Sequence, residues 1–100
     1  MPRIFVYGSM RRGKPAHALL GGAPFVGPQI VYGYALTVTP RGHVAMRPYC
    51  SPHTQVSGEV YEVPDSLLLA LDAHEGGQYA REYLPDYSVY AMLCAQYSFM

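Results

Sequence analysis

Cysteine occurs only twice in the 100 residues, acidic residues are missing from the whole first half, and no apolar run is long. Two cysteines, Cys50 and Cys94, make neither a disulfide framework nor a zinc ligand set, and both read as small buried hydrophobes. Cys50 and His53 form a Cys-x-x-His pair with no second pair to complete it, and His17 and His43 have no metal spacing either, so no metal is expected. No apolar stretch approaches the roughly 20 residues of a membrane span, and Pro2 and Arg3 do not begin a secretory signal. The expectation is a soluble cytoplasmic protein with no membrane partner, built as one domain over residues 1–100. Repeats, linkers and low-complexity segments are absent.

The missing acids are balanced further on. Arg3, Arg11, Arg12, Lys14, Arg41 and Arg47 hold the first half, whereas all seven acids lie between Glu59 and Asp86 and the net charge is zero. A zero total argues against nucleic acid as a partner. A mixed sheet that interleaves the halves would cancel the asymmetry. Alternatively, Arg11, Arg12 and Lys14, set beside Gly8 and Gly13, would offer a small anion both cations and backbone N–H groups.

Arg3 to Tyr7 is β-branched and aromatic and runs into Gly8-Ser9, the pattern of a central strand entering a turn. A short helix through Ala16–Leu20 is expected to stop at Gly21-Gly22. Alternation of large apolar residues from Ile30 to Val38 predicts a strand, Pro40-Arg41-Gly42 a hairpin turn, and Val44 to Met46 its return. A further strand spans Val56 to Val63, a helix Leu67 to His74, and a last strand Tyr87 to Phe99. The fold class expected is α+β, a mixed, barrel-like sheet of hairpins with two short helices. The ten tyrosines suit packing on pleated surfaces with hydroxyls at the rim.

Leu68, Leu71 and Glu75 are spaced three and then four apart, which places Glu75 on the stripe that the leucines bury. A desolvated carboxylate there would have a raised pKa suited to taking and giving a proton. The other reading is that Glu75 reaches solvent past the glycines or pairs with Arg81. His74, about 100° round the helix, reads as surface or interface. The turn Tyr7-Gly8-Ser9-Met10 either presents amides to a ligand oxyanion or only turns a corner.

Taken together, these segments resemble the γ-glutamylcyclotransferase-like proteins. The resemblance rests on Val6-Tyr7-Gly8-Ser9-Met10 followed by Arg11-Arg12-Gly13, on Gly58-Glu59-Val60-Tyr61, on Leu71-Asp72-Ala73-His74-Glu75-Gly76, and on Tyr79-Ala80-Arg81. It implies a cofactor-independent acyltransferase or lyase in which the α-amine of a γ-glutamyl unit attacks its own side-chain amide, giving 5-oxoproline and a free amine. By the same resemblance Glu75 is the general base and acid, Tyr7, Gly8, Ser9 and Met10 hold the glutamyl moiety, and Tyr79 and Arg81 belong to the substrate site. Met10 stands where leucine is usual, the Glu75–Tyr79 interval is short, and larger members continue beyond the position of Met100. A smaller pocket, or one completed by a second subunit in a homodimer, would follow. A non-catalytic module binding a small molecule on the same cradle, and a domain with a purely structural or partner-binding role, are the competing readings.

Overall fold

The computed structural model describes residues 2–8, 10–14, 17–39, 41–51, 53–75, 77 and 79–94, with Glu75 described by its backbone alone. Seven strands, β1 (Arg3–Val6), β2 (Phe25–Tyr32), β3 (Tyr34–Val38), β4 (Val44–Pro48), β5 (Gln55–Glu62), β6 (Tyr79–Leu84) and β7 (Val89–Cys94), form one sheet with a helix α1 (Asp65–Glu75). The apolar character of β1 has the expected consequence, burial on both faces. Phe5 and Tyr7 enter one core cluster with Val31, Met46, Val56 and Leu93, while Ile4 and Val6 enter a second with Leu20, Leu68, Leu71 and Met92. The second cluster is the layer between sheet and helix. Leu68 and Leu71, at 3% and 1% exposure, are the buried stripe of α1 that their spacing predicts.

The sheet runs β2-β5-β1-β7-β4-β3, with β6 on the far side of β7. Because β6 pairs with β7 along its whole length, β1 and β4 must share the other edge of β7, β1 at Tyr90 and Ala91 and β4 at Leu93. They separate at the end of β1, and the hydroxyl of Tyr7 fills that fork, donating to the Met92 carbonyl and accepting from the Met46 N–H at 2.9 Å. Other tyrosine hydroxyls stitch the structure in the same way. Tyr79 donates to the Val44 carbonyl at 2.7 Å, and Tyr87 accepts from the Tyr32 N–H at 3.0 Å.

Several expectations need correction. The hydrogen-bonded path is not closed, so the sheet is an open mixed sheet and "barrel-like" overstates it. Its two ends, β2 and β3, are halves of one bent strand. The bend is Gly33, whose φ of 83° is costly for any residue with a Cβ, and whose backbone is bonded on both sides, to Thr54 and Tyr49. The first helix is a 3-10 turn, His17–Leu20, held by Gly21 N–H to Ala18 carbonyl; four residues before two glycines of positive φ leave no room for α-helical bonds. Two strand segments escaped the pattern. The start of β2 contains Gly27 and Pro28, a combination tolerated because β2 is an edge strand with an irregularity between Phe25 and Gly27. β6 carries Arg81 and Glu82, has half of its positions exposed and, among the described residues, is likewise bonded on one edge only. The last strand begins at Val89 rather than Tyr87, which lies in the turn between β6 and β7, and residues 95–100 of its expected span lie outside the described residues. Cys94 is buried as expected, but Cys50, in the connection after β4, is exposed.

Gly58 on β5 shows why one motif glycine is required. A Cβ there would press on the Val6 carbonyl oxygen and lie 2.7 Å from Phe5 Cζ, and backbone cannot swing aside as a surface side chain can. Gly58→Ala is expected to cost about 1–3 kcal/mol and to lower Tm by roughly 4–8 °C per kcal/mol. Thermal unfolding followed by circular dichroism tests this; an unchanged Tm would mean that β1 does not approach Gly58 so closely.

Candidate functional site

The end of β1 leads into a loop whose backbone is fixed from several directions. Arg11 N–H and Arg11 Nε both donate to the Gly8 carbonyl, each at 3.1 Å, and Lys14 N–H donates to the Arg11 carbonyl. The Arg12 N–H donates to Glu59 Oε1 at 2.8 Å, the same oxygen that accepts from the Tyr61 hydroxyl, and His17 Nδ1 lies 2.9 Å from the Met10 carbonyl. These contacts divide the basic run. Arg12 is drawn to the β2–β5 side, its guanidinium 4.3 Å from the Phe25 ring centroid, whereas Arg11 and Lys14 border a cavity.

That cavity, about 570 Å³, is of the size ordinary for small-molecule sites. Ile4, Val6 and Tyr7 of the β1 segment and Met92 of β7 give it apolar surface, and Gly8, Met10, Arg11 and Lys14 border it from the loop. The β3–β4 hairpin adds Leu36, Arg41, His43 and Val44, and the end of α1 and the start of β6 add His74 and Tyr79. Three permanent cations therefore meet at one opening, and no acid is among the described lining residues.

The model of the γ-glutamyl cyclotransferase, AIG2-like family matches residues 4–95. The chain belongs to that family. It is 40% identical over 76 residues to protein PH0828 of Pyrococcus horikoshii, a match covering 75% of this chain and 60% of that one. To the γ-glutamylaminecyclotransferase of Rattus norvegicus it is 32% identical over 94 residues, covering 76% of this chain and 56% of the relative. The matches thus span less than two thirds of either relative. The crystal structure of PH0828 superposes with a TM-score of 0.78 at 25% identity, over 97% of this chain and 80% of that one. An AIG2-like protein from Mus musculus shares the fold with a TM-score of 0.80 at 24% identity, over 99% of this chain and 80% of the other.

Of the residues that the family pattern singles out, Tyr7, Gly8, Met10 and Tyr79 line the cavity together, although they are up to 72 positions apart (79 minus 7). Ser9 lies outside the described residues, as does the Glu75 side chain; the backbone places Glu75 as the last residue of α1, next to the cavity-lining His74. Arg81 does not line the cavity. Its Nε is 3.1 Å from Asp72 Oδ1 and its guanidinium 5.0 Å from the Tyr90 ring centroid. The Asp72 oxygen lacks a regular hydrogen bond, so the contact is an ion pair off the usual donor angle. It still ties the last turns of α1 to β6. Arg41, His43 and His74 were not foreseen at the site; Arg11 and Lys14 carried a local signal as a cationic cluster beside the turn, but the hairpin tip reaches the loop only through the long-range order of the sheet.

Glu59 anchors the loop electrostatically. Burial pushes its carboxyl up, but the hydrogen bonds from the Arg12 N–H and the Tyr61 hydroxyl, with the charges of Arg12 and His17, together hold it below its ordinary value. Burial, and then the bond to Glu59, raise the Tyr61 phenol. A carboxyl lowered on folding adds stability above its unfolded pKa of about 4.3, and that contribution fades as pH falls through the folded value. The Tm difference between the protein and Glu59→Gln is therefore expected to shrink from about pH 6 to about pH 3. A difference that stayed constant over that range would show that the ionised form is not what holds the loop.

Proposed function

We propose that this protein is a γ-glutamylcyclotransferase-type enzyme converting a γ-glutamyl amine or dipeptide into 5-oxoproline and the free amine. The observation that carries this reading is a cation-rich cavity that joins the Tyr7–Met10 turn to the end of the helix bearing Glu75, in a chain of this family.

The glutamyl carboxylate is held beside the turn. The N–H groups of Arg11, Arg12 and Lys14 are already bonded within the protein, so amide recognition falls to Gly8, Ser9 and Met10, reinforced by the Arg11 charge. Glu75 takes a proton from the glutamyl ammonium. The freed amine nitrogen attacks the side-chain amide carbon, forming the ring C–N bond and a tetrahedral oxyanion. Collapse of that oxyanion breaks the original amide C–N bond as Glu75 returns the proton to the departing nitrogen, and the second proton of the ring nitrogen passes to the freed Glu75 carboxylate and from there to the released amine, which departs as an ammonium. Holding the chain curled for five-membered ring closure contributes further, since orientation replaces an encounter. Arg81, through Asp72, positions the helix end and does not itself meet the substrate.

The reading is tested by 5-oxoproline release from a panel of γ-glutamyl amines and dipeptides. Release supports the enzyme. Binding without release favours a non-catalytic module on the same cradle, and neither, with folded protein, removes the reading.

A further inference from the structure

The 3-10 turn His17–Leu20 lies outside the cavity, yet one of its side chains is bonded to the turn that forms the cavity. Arg11 N–H donates to the Gly8 carbonyl, Lys14 N–H to the Arg11 carbonyl and His17 N–H to the Lys14 carbonyl, at 3.1, 3.0 and 3.2 Å, a succession that links the end of β1 to the 3-10 turn. The His17 ring then reaches back to the first of these contacts, its Nδ1 2.9 Å from the Met10 carbonyl oxygen. A carbonyl has no hydrogen to give, so Nδ1 is the donor.

The two poles of one peptide unit are therefore both held. The Met10 carbonyl and the Arg11 N–H share a plane, the first bonded to His17 and the second to the Gly8 carbonyl. Such a plane cannot turn without giving up two hydrogen bonds. The side chains on either side of it, Met10 and Arg11, both line the cavity, whereas His17 is not among the described lining residues. The His17 ring is itself set from the sheet. Its centroid is 5.6 Å from that of Tyr61, which is 2% exposed and whose hydroxyl donates to Glu59. Leu20, from the same 3-10 turn, is buried in the cluster that also takes the Met10 side chain.

We infer that His17 is a positioning residue, whose Nδ1–H holds the Met10 peptide so that the Tyr7–Met10 turn keeps the shape that binds the glutamyl carboxylate. The inference rests on the proposed reaction and adds to it a residue behind the cavity wall. The carboxylate is held alike before and during ring closure, so loss of this bond weakens binding and leaves the chemical step in place. Kd and KM rise about five- to tenfold, the scale of one hydrogen bond, and kcat stays within about threefold.

Three variants separate this role from packing. His17→Phe keeps a ring against Tyr61 but has no donor. His17→Asn loses the ring, yet its amide N–H stands as many bonds from Cβ as Nδ1 does; His17→Gln carries that N–H one bond further out, at the place of Nε2. Kd for γ-glutamylglycine and γ-glutamylethylamine is measured by calorimetry, KM and kcat by 5-oxoproline release, and Tm by circular dichroism. His17→Phe and His17→Gln are expected to raise Kd and KM about five- to tenfold at near-normal kcat, and His17→Asn to bring both within about twofold of the parent despite a lower Tm. Should His17→Phe not fold, the Asn and Gln variants make the same comparison. Equal Kd in parent and variants, a KM that follows Tm rather than the position of the donor, or a fall in kcat alone overturns the inference and leaves the reaction standing. The expected order of Kd without 5-oxoproline release overturns the reaction and keeps His17 in its role. A parent protein that neither binds nor turns over either compound removes both.

Discussion

Glu75→Gln is expected to fold as the parent does and to lose about 10²–10⁴-fold in 5-oxoproline release, the contribution of a well-placed general acid and base. The substitution keeps the size of the side chain and its ability to hydrogen-bond but removes the ability to accept the ammonium proton. Stability should not suffer. Glu75 is the last residue of α1, where the carbonyl end of the helix disfavours negative charge by about 0.3–1 kcal/mol, so the neutral amide should leave Tm equal or slightly higher. Opposite signs in the two measurements are the signature of a residue kept for chemistry at some cost to the fold. Release by the variant at the wild-type rate would take Glu75 out of the mechanism, and a Tm several degrees lower would make it a structural residue.

Those features of the molecule that depend on near neighbours in the chain could be read from the residues alone. Burial on both faces of β1, the Leu68 and Leu71 stripe of α1 and the β3–β4 hairpin all follow from local periodicity and turn residues. The start of β2 and the whole of β6 could not, because these edge segments need only one partner and admit Gly27, Pro28, Arg81 and Glu82 without penalty. The candidate site divides along the same line. The Tyr7–Met10 turn and the helix end carry motifs, whereas Arg41 and His43 reach the cavity because β4 joins β7 past the end of β1, which no local pattern announces. The motif residues also have unequal tasks: Glu59 fixes the loop, Arg81 ties down the helix, and Gly58 leaves room for the Val6 carbonyl and the Phe5 ring of the paired strand β1.

Tyr7 is the residue whose task most needs separating, since it lies at the cavity and in the core at once. Its ring stacks on Phe5 with centroids 5.9 Å apart, and its hydroxyl serves the backbone of two strands, β4 and β7, at the fork where β1 and β4 separate. Tyr7→Phe would keep the ring and strip the partner from the Met46 N–H and the Met92 carbonyl, in residues that are 0% and 6% exposed. Each orphaned group costs about 1–3 kcal/mol, so a total loss of about 2–6 kcal/mol is expected, and in a domain of this size a drop in Tm of at least roughly 8 °C. The hydroxyl is turned to the backbone, so the folded fraction of the variant, assayed well below its Tm, should retain kcat within about threefold, far from the effect expected of a general acid or base. The two readouts decide between roles. A stable variant with kcat reduced a hundredfold would make the hydroxyl a catalytic group, whereas a destabilised variant with near-normal kcat makes it the pin that holds the sheet open at the point where the cavity begins.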